Sequence, residues 1–333
     1  PFIMTFTFAM EQVMAKLCGK GLWLAHSYDL QRAAEMAASV SATYLLVKVG
    51  HGPYYFPETT RVMVKRVRAL GYHPLAWVQI TDRVPQDALK AIIEAQTLGY
   101  EATVLFLGTA MVTGDQMRPL AEALDNVEIP RERLFLATPP PAHLPDPRVL
   151  DVLAPICQAG WMPLAFAAWG NNPEPVIHRD IYQTLDALSL IWDKTPEVYP
   201  VLSPLHRIAG PAFLPEELIP WIEELSRHGL DFFSVYHAAN TEKVLWPLFQ
   251  SLNVRCQDES GQPATPEPLA AGMPDIPQPV YITVATSDTV WGIINRHGLT
   301  KQQFWAWNAH LWESRGLPRD PDYLQEGWRI RVK

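Results

Sequence analysis

Short apolar runs rich in β-branched and aromatic residues alternate with amphipathic stretches of helical period from residue 21 onward. Eight such pairs precede a change in the character of the chain near residue 254. The apolar runs predict strands at residues 21–26, 43–49, 73–80, 102–107, 133–138, 162–169, 198–202 and 232–237. The amphipathic stretches predict helices at residues 30–39, 58–70, 85–98, 116–124, 148–159, 179–192, 215–228 and 242–252.

This alternation indicates an α/β fold. Nearly continuous apolar strands separated by helices are typical of a parallel sheet that is covered on both faces. Eight units over about 230 residues fit a closed (β/α)8 barrel of the TIM type better than an open sheet. An open doubly wound sheet is the alternative.

Two further segments differ in composition from the barrel. Residues 255–279 contain many prolines and glycines among small and acidic residues, which predicts a semi-extended linker. Residues 1–20 are apolar and rich in methionine, so they form either a helix that closes the bottom of the barrel or an interface with another chain. We therefore expect an amino-terminal segment at 1–20, a barrel at 21–254, a linker at 255–279 and a small domain at 280–333.

The small domain has its own pattern of strands and helices. Residues 281–284 alternate like a half-buried strand, and Asp288 or Thr289 is a good N-cap for the helix that follows. Gly298 ends that helix, and Thr300 can cap a second one. Residues 328–332 alternate again as a closing strand, so the order is strand, helix, helix, strand. The apolar or aromatic positions of the two helices are Val290, Trp291, Ile293, Ile294, Phe304, Trp305 and Trp307, with His297 and Asn308 near the helix ends.

This pattern resembles a LysM domain, a small module that binds polymers of N-acetylglucosamine such as peptidoglycan or chitin. Ser287 stands where the family usually has a glycine, and the segment 309–326 is longer than usual. The resemblance implies that sugar lies between the loop after the first strand and the loop before the last. The implied contacts are Thr286, Ser287, Asp288 and Thr289 on one side, with Ala309, His310, Leu311 and Trp312 on the other. The alternative is that the module packs against its own protein or a partner.

Composition narrows the class of partner. The formal charge of −8 argues against nucleic acid, because a phosphate-binding surface needs clustered Lys and Arg. No apolar run reaches the roughly 18 residues that a membrane helix requires. The residues Cys18, Cys157 and Cys256 are too scattered for a zinc site or a disulfide framework, so we expect reduced or buried thiols. The start of the chain has no recognisable secretory signal.

A barrel joined to a LysM-like module resembles cell-wall glycoside hydrolases, which act at the carboxyl ends of the barrel strands. Such enzymes need two carboxylates, or one acid and a substrate acetamido group. The fourth predicted strand runs into Leu107, Gly108, Thr109 and Ala110 without an acid, so the usual motifs of chitinase-like and lysozyme-like barrels are missing. The only candidate catalytic carboxylates are Asp29, Asp82 and Glu174.

Polar and aromatic residues do follow the predicted strands. Aromatic faces beside amide and imidazole donors suit a sugar-binding cleft, and they also suit an ordinary barrel mouth. Lys48 interrupts an apolar run and would be costly to bury without an anion, which Asp29 or Asp82 could supply. A metal site of His26, His206 and His237 has a weak signal, so we expect no metal and no cofactor. The full set at the mouth is His26, Lys48, Tyr54, Gln79, Trp169, Asn171, His206, Tyr236 and His237.

Three hypotheses follow for function. The leading one is a cell-envelope or extracellular protein that binds an amino-sugar polymer through the LysM-like module, with a barrel that has lost its catalytic acids. The second is an active glycoside hydrolase with unconventional carboxylates. The third is a structural subunit of a surface filament, virion or injection apparatus, in which the chain self-associates.

Overall fold

The computed structural model describes residues 16–81, 88–108, 111–127, 129–205, 212–255, 280–285, 288–299, 304, 308, 324 and 327–332. The chain divides into two compact units, Pro1–Ala271 and Gly272–Lys333. The first contains the predicted barrel, and the second contains the predicted small domain. Most of the segments predicted at 1–20 and 255–279 lie outside the described residues.

The first unit contains a closed barrel of eight parallel strands. The first strand, β1 (Gly19–Leu24), pairs with β2 (Tyr44–His51) on one side and with β9 (Phe232–Val235) on the other, which closes the sheet. The short β3 (Tyr54–Tyr55) is antiparallel to the end of β2 and forms a hairpin with it. The predicted (β/α)8 barrel is therefore confirmed, and the alternative of an open sheet is wrong. The parallel strands are β1 (Gly19–Leu24), β2 (Tyr44–His51), β4 (His73–Gln79), β5 (Thr103–Phe106), β6 (Leu134–Thr138), β7 (Gly160–Ala165), β8 (Val201–Leu202) and β9 (Phe232–Val235).

Helices follow the strands. Four of the predicted helices differ little from those observed. The helices α5 (Arg148–Leu153), α6 (Leu185–Trp192) and α8 (Trp246–Ser251) are shorter than predicted, and α3 (Ala88–Thr97) borders undescribed residues. Pro155 lacks the amide donor that would extend α5, and Pro247 occupies the first turn of α8. The region predicted as one helix at 179–192 consists of separate turns before α6. The helices are α1 (Leu30–Val40), α2 (Pro57–Ala69), α3 (Ala88–Thr97), α4 (Gly114–Asp125), α5 (Arg148–Leu153), α6 (Leu185–Trp192), α7 (Pro215–Arg227) and α8 (Trp246–Ser251).

Large aromatic side chains fill the inside of the barrel. The indole nitrogen of Trp23 donates to Ser234 Oγ at 2.8 Å, and that of Trp77 donates to the Leu24 carbonyl at 3.0 Å. Both indoles are fully buried. Each polar group is paired, so these side chains contribute apolar burial without the cost of an unsatisfied donor.

The cysteines do not all behave as expected. Cys157 is a buried free thiol, and burial raises its pKa. Cys18 is disulfide-bonded, so the expectation of a reduced thiol is wrong for this residue. Spacing along the chain could not show this, because disulfide formation depends on proximity in the fold. Cys256 lies outside the described residues.

The described part of the second unit agrees with the order that the sequence predicts. The strands β10 (Tyr281–Thr283) and β11 (Arg329–Arg331) are antiparallel, and α9 (Val290–His297) lies between them in the chain. The Thr289 side chain caps α9 by accepting from the Gly292 amide at 3.0 Å. Gly298 ends the helix in a left-handed conformation at φ 64°. The core contains residues of α9 and β11, residues that flank the two strands, and Phe304 of the second predicted helix, and Ile282 of β10 packs against it. Its buried members are Val284, Val290, Ile293, Ile294, Phe304, Trp328, Ile330 and Val332.

None of the helices among the described residues is long and apolar enough to cross a membrane.

Candidate functional site

The barrel mouth is the end of the barrel at which the eight parallel strands finish. Tyr236, which follows β9, lies at its aromatic centre. Its ring stacks on Phe106 with centroids 5.2 Å apart, and it meets Trp23, Trp77 and Phe166 at 5.7, 6.2 and 5.6 Å. Burial raises the pKa of Tyr236 to about 12, so its hydroxyl is protonated at neutral pH. The phenol therefore remains a hydrogen-bond donor.

Lys48 brings a positive charge to this aromatic centre. Its Nζ donates to Gln79 Oε1 at 2.9 Å and lies 4.9 Å from the centre of the Trp77 ring. It also lies 3.4 Å from His51 Nδ1. The register of β2 shifts between Lys48 and Gly50, and such an irregularity redirects side chains at the rim of a barrel. The idea that Asp29 or Asp82 neutralises Lys48 stays a prediction, since Asp82 lies outside the described residues.

His237 follows Tyr236 and presents a buried nitrogen. Burial and, secondly, the charge of Lys48 lower the pKa of His237 to about 4, so the ring is neutral near pH 7. Its Nε2 lies 3.1 Å from Asn240 Nδ2 and accepts from that amide as it is oriented. The proton then resides on Nδ1, which is buried and has no hydrogen-bond partner among the described residues. A buried donor of this kind is costly unless another group accepts from it.

A second polar cluster lies after β6 and β7, and the sequence analysis identified only one of its members. Trp169 donates its indole N–H to the Leu164 carbonyl at 2.8 Å and stacks on His143, with centroids 5.7 Å apart. His143 Nε2 lies 2.8 Å from an oxygen of the buried Asp180, which Arg179 also contacts at 2.7 Å. Burial alone would raise the pKa of Asp180, but the hydrogen bonds from Arg179 and His143 outweigh it and lower that pKa.

His143 and Asp180, which the sequence analysis did not identify, lie in sequence patterns that indicate a site only weakly. His143 follows three consecutive prolines after a predicted strand, which is a loop at the correct end of the barrel. Asp180 was assigned to a continuous helix, and the structure instead places it at the end of a turn.

The candidate catalytic carboxylates do not form an evident pair. Asp29 is buried at the start of α1, whereas Glu174 is exposed before the turn Pro175–Arg179. These two acids follow β1 and β7, and the strands β8 and β9 lie between them. Asp82 lies outside the described residues. The assignment of a catalytic acid therefore stays a prediction.

The other residues predicted at the mouth are more dispersed. His26 follows β1 and stacks on Tyr28, with centroids 4.8 Å apart. Asn171 is exposed, and His206 lies outside the described residues. Tyr54 is 69% exposed and lines an open groove of about 670 Å³ between the hairpin and α3. Of the predicted mouth residues, the structure brings together Lys48, Gln79, Tyr236 and His237. Lys48 contacts the Trp77 ring, and the rings of Trp77 and Phe106 both contact Tyr236.

The small domain gives two predicted sugar contacts a structural role. Asp288 accepts from the Ala285 amide at 2.9 Å and from Arg296 at 2.7 Å. The backbone hydrogen bond and, secondly, Arg296 lower the pKa of Asp288. Thr289 caps α9, as described above. The other predicted contacts, Thr286, Ser287, Ala309, His310, Leu311 and Trp312, lie outside the described residues.

One polar residue is buried in the small domain. Asn308 is 1% exposed, and its Nδ2 donates to the Phe304 carbonyl at 3.0 Å. The residue that the sequence analysis placed on the second helix therefore belongs to the interior of the domain.

The barrel is similar to several solved structures. It is similar to a chitinase from Chromobacterium violaceum ATCC 12472, with 11% identity, 70% of this chain and 98% of that chain covered, and a TM-score of 0.45. It is also similar to active domain 2 of a thermostable chitinase from Pyrococcus furiosus, solved with chito-oligosaccharides, with 12% identity, coverages of 72% and 94%, and a TM-score of 0.49. A 2-keto-3-deoxy-6-phosphogluconate aldolase from Zymomonas mobilis matches at 14% identity, coverages of 73% and 96%, and a TM-score of 0.36. At these values the similarities say nothing about activity.

No curated protein matches the chain significantly. The family model of the LysM domain matches residues 282–333. This range contains most of β10, all of α9 and β11, and the shared core. Residues 282–333 are therefore a LysM domain.

Proposed function

We propose that this protein binds polymers of N-acetylglucosamine through its LysM domain, and that its barrel recognises carbohydrate without cleaving it. The protein would be located in the cell envelope or the extracellular space, where such polymers occur. The observation that carries the proposal is the family match at residues 282–333.

The architecture of the small domain supports sugar binding by its loops. Asp288 and Thr289 hold the beginning of α9 in place through hydrogen bonds to Ala285 and Gly292. We infer that these two side chains shape the first loop, and that backbone groups and the opposite loop contact the sugar. A preorganised loop lowers the entropic cost of binding.

The barrel mouth offers the chemistry that a sugar needs. Tyr236 supplies a partly exposed aromatic ring, and Lys48 and the buried Nδ1 of His237 supply donors. Sugar hydroxyls and acetamido oxygens can accept such hydrogen bonds, while the apolar face of a pyranose packs on an aromatic ring. The neutral state of His237 at pH 7 suits this role, because the ring then carries a single directed donor.

The arrangement of carboxylates favours recognition over hydrolysis. Glycosidases that use two acids hold them roughly 5–10 Å apart across the bond to be cut. Asp29 is buried at the start of α1, whereas Glu174 is exposed before the turn Pro175–Arg179, and the two acids follow strands that are not neighbours in the barrel. The remaining routes to catalysis use Asp82, either paired with Asp29 or with assistance from the substrate. The full chain should release no reducing sugar from the polymer, and a release that the Asp82→Asn substitution abolishes would establish the enzyme.

The proposal is tested by titrating the full chain with a soluble chito-oligosaccharide in a calorimeter. The double substitution H310A and W312A should weaken binding about tenfold or more, since a buried aromatic contact contributes about 1–3 kcal/mol. The matched control is H297A, an exposed histidine at the end of α9. Equal affinity in all three proteins would place the binding site outside these LysM loops.

The contribution of the barrel is tested separately. His237→Ala should weaken binding of the same oligosaccharide at the mouth without changing the LysM titration. Two binding events in the parent protein and one in the variant would support the assignment. A single event that is unaffected by His237→Ala would remove the mouth from sugar recognition.

A further inference from the structure

Three side chains with metal-binding atoms meet in the helical layer outside the barrel. Glu224 and His228 lie one turn apart on α7 and at its carboxyl-terminal end, and His178 comes from the turn Pro175–Arg179. One ligand atom from each lies within 4.8 Å of the others. This cluster is separate from the barrel mouth, because His228 precedes the first residue of β9 whereas Tyr236 and His237 follow the last.

The two imidazoles and the carboxylate already face one another. The rings of His178 and His228 have centroids 5.5 Å apart at an angle of 28°. His228 Nε2 lies 3.3 Å from Glu224 Oε1, and the other carboxylate oxygen pairs with Arg227. The Glu224 side chain is only 5% exposed. A buried carboxylate between two histidines can accept a cation with little rearrangement of the backbone.

Neighbouring side chains orient both rings. The Tyr182 ring stacks on His228 with a centroid separation of 3.7 Å, and Gln183 Nε2 lies 3.0 Å from His178 Nε2. Such outer contacts fix the rotamer of a metal-binding histidine and select which nitrogen faces the ion. The second nitrogen of His178 remains available for coordination when Gln183 occupies the first.

The donor set indicates the class of metal. Two imidazoles and one carboxylate suit Zn²⁺ and neighbouring late first-row ions, whereas Mg²⁺ and Ca²⁺ prefer oxygen ligands. Bond lengths of about 2.0–2.2 Å place tetrahedral ligand atoms roughly 3.3 Å apart. The three groups would therefore draw together by up to about 1.5 Å, which rotation of the side chains can supply.

We propose that His178, Glu224 and His228 bind a Zn²⁺-like ion that joins α7 to the turn Pro175–Arg179. The sequence analysis expected no metal, and it did not consider these residues. The pattern along the chain does not indicate the cluster, because His178 is distant in sequence from Glu224 and His228. The location away from the mouth indicates a stabilising site. Three protein ligands leave a fourth position for water.

The test uses the full chain without a polyhistidine tag, after treatment with a chelator. Titration with Zn²⁺ in a calorimeter should show one ion per chain with a micromolar or lower Kd, and saturation should raise the Tm. Co²⁺ should give the visible absorption of a tetrahedral complex. No binding of either ion would overturn the proposal.

Variants locate the site. H178A and E224Q should each weaken Zn²⁺ binding at least tenfold and abolish the Co²⁺ spectrum. The matched control is H73A, which removes a histidine that also pairs with a carboxylate, at 2.8 Å from Glu101. Circular dichroism checks that each variant is folded. Equal Zn²⁺ affinity in H178A and the parent protein would contradict the assignment, even if E224Q failed to fold.

Discussion

The barrel and the LysM domain differ in where their polar side chains find partners. In the LysM domain, Asp288 and Thr289 bond to groups three to eight residues away. At the barrel mouth, Lys48 meets Gln79 and Trp77, and Tyr236 meets Phe106, across different strands. Function is consequently easier to predict from the sequence in the small domain, because its pattern is local.

The two regions also differ in how they are stabilised. The barrel interior holds fully buried Trp23 and Trp77, and their indole donors are paired within a closed sheet. The LysM domain has a much smaller core, in which Trp328 is the largest described member. Small domains bury a lower fraction of their surface and are correspondingly less stable. We therefore expect the LysM domain to respond more strongly to single substitutions.

Trp328→Ala should have the largest effect of the changes considered for stability. Trp328 is 6% exposed, and removal of a buried Trp side chain costs about 3–5 kcal/mol. The LysM domain should unfold and polymer binding should disappear, while the thermal transition of the barrel stays in place. Differential scanning calorimetry measures both transitions.

The control for that change is Tyr281→Ala, which removes a side chain that is 42% exposed in the same domain. Its effect should be under about 1 kcal/mol. An equal shift of both transitions in Trp328→Ala would show that the two regions do not unfold independently.

His237 should make the barrel less stable as the pH falls from about 6.5 to about 4. Its folded pKa is lowered to about 4, so the unfolded chain binds more protons in this window. One such group changes the free energy of unfolding by at most about 1.4 kcal/mol per pH unit. Urea unfolding at several pH values should show a flatter dependence for H237Q.

His73 provides a control of opposite sign. Its hydrogen bond to Glu101 raises its pKa, so its contribution is present at low pH and is lost as the pH rises through the folded value. It is exposed, and its effect should be small.

A steeper acid dependence in H237Q than in the parent protein would contradict the burial of a neutral His237 ring.

Asp180→Asn tests the polar cluster beside Trp169. The change removes a charge that both Arg179 and His143 contact, and a hydrogen bond to a charged group is worth about 1.5–3 kcal/mol. Because the folded pKa of Asp180 is lowered, its contribution is present above the unfolded value near 3.9 and is lost as the pH falls through the folded value. Chemical denaturation at neutral pH and near pH 3 should show the difference shrinking in acid. The exposed Asp186→Asn is the matched control, and an equal effect there would remove the special role of Asp180.

Gly298→Ala should have a modest effect that is confined to the LysM domain. A Cβ atom at this position would meet no other atom within 4 Å, so the cost is that of the left-handed backbone, about 1–2 kcal/mol. Gly298→Asn should cost less, since Asn adopts this conformation more readily. Calorimetry of the LysM transition compares the two, and identical shifts would argue against backbone strain.

Much of the fold could be predicted because the hydrophobic periodicity is strong. All eight barrel strands and the N-cap and C-cap of α9 correspond to local patterns. The helix predicted at 148–159 failed because the amphipathic pattern outweighed Pro155, and the disulfide at Cys18 could not be read from spacing.

The mouth was predicted less completely. Lys48 was identified because a lysine inside an apolar strand is unusual, and Tyr236 and His237 because they follow a strand. His143 and Asp180 were missed because their pairing joins two segments that are distant in the chain. Contacts of this kind depend on the closure of the barrel, which a local pattern does not encode.

Co-sedimentation of the full chain with insoluble peptidoglycan and chitin tests the central claim most directly, with reducing sugar assayed in the supernatant. We expect the parent protein and H297A to pellet with at least one polymer, the double variant H310A and W312A to stay in solution, and no sugar to appear. Failure of the parent protein to pellet would contradict binding by the LysM domain. Release of sugar would contradict the non-catalytic barrel.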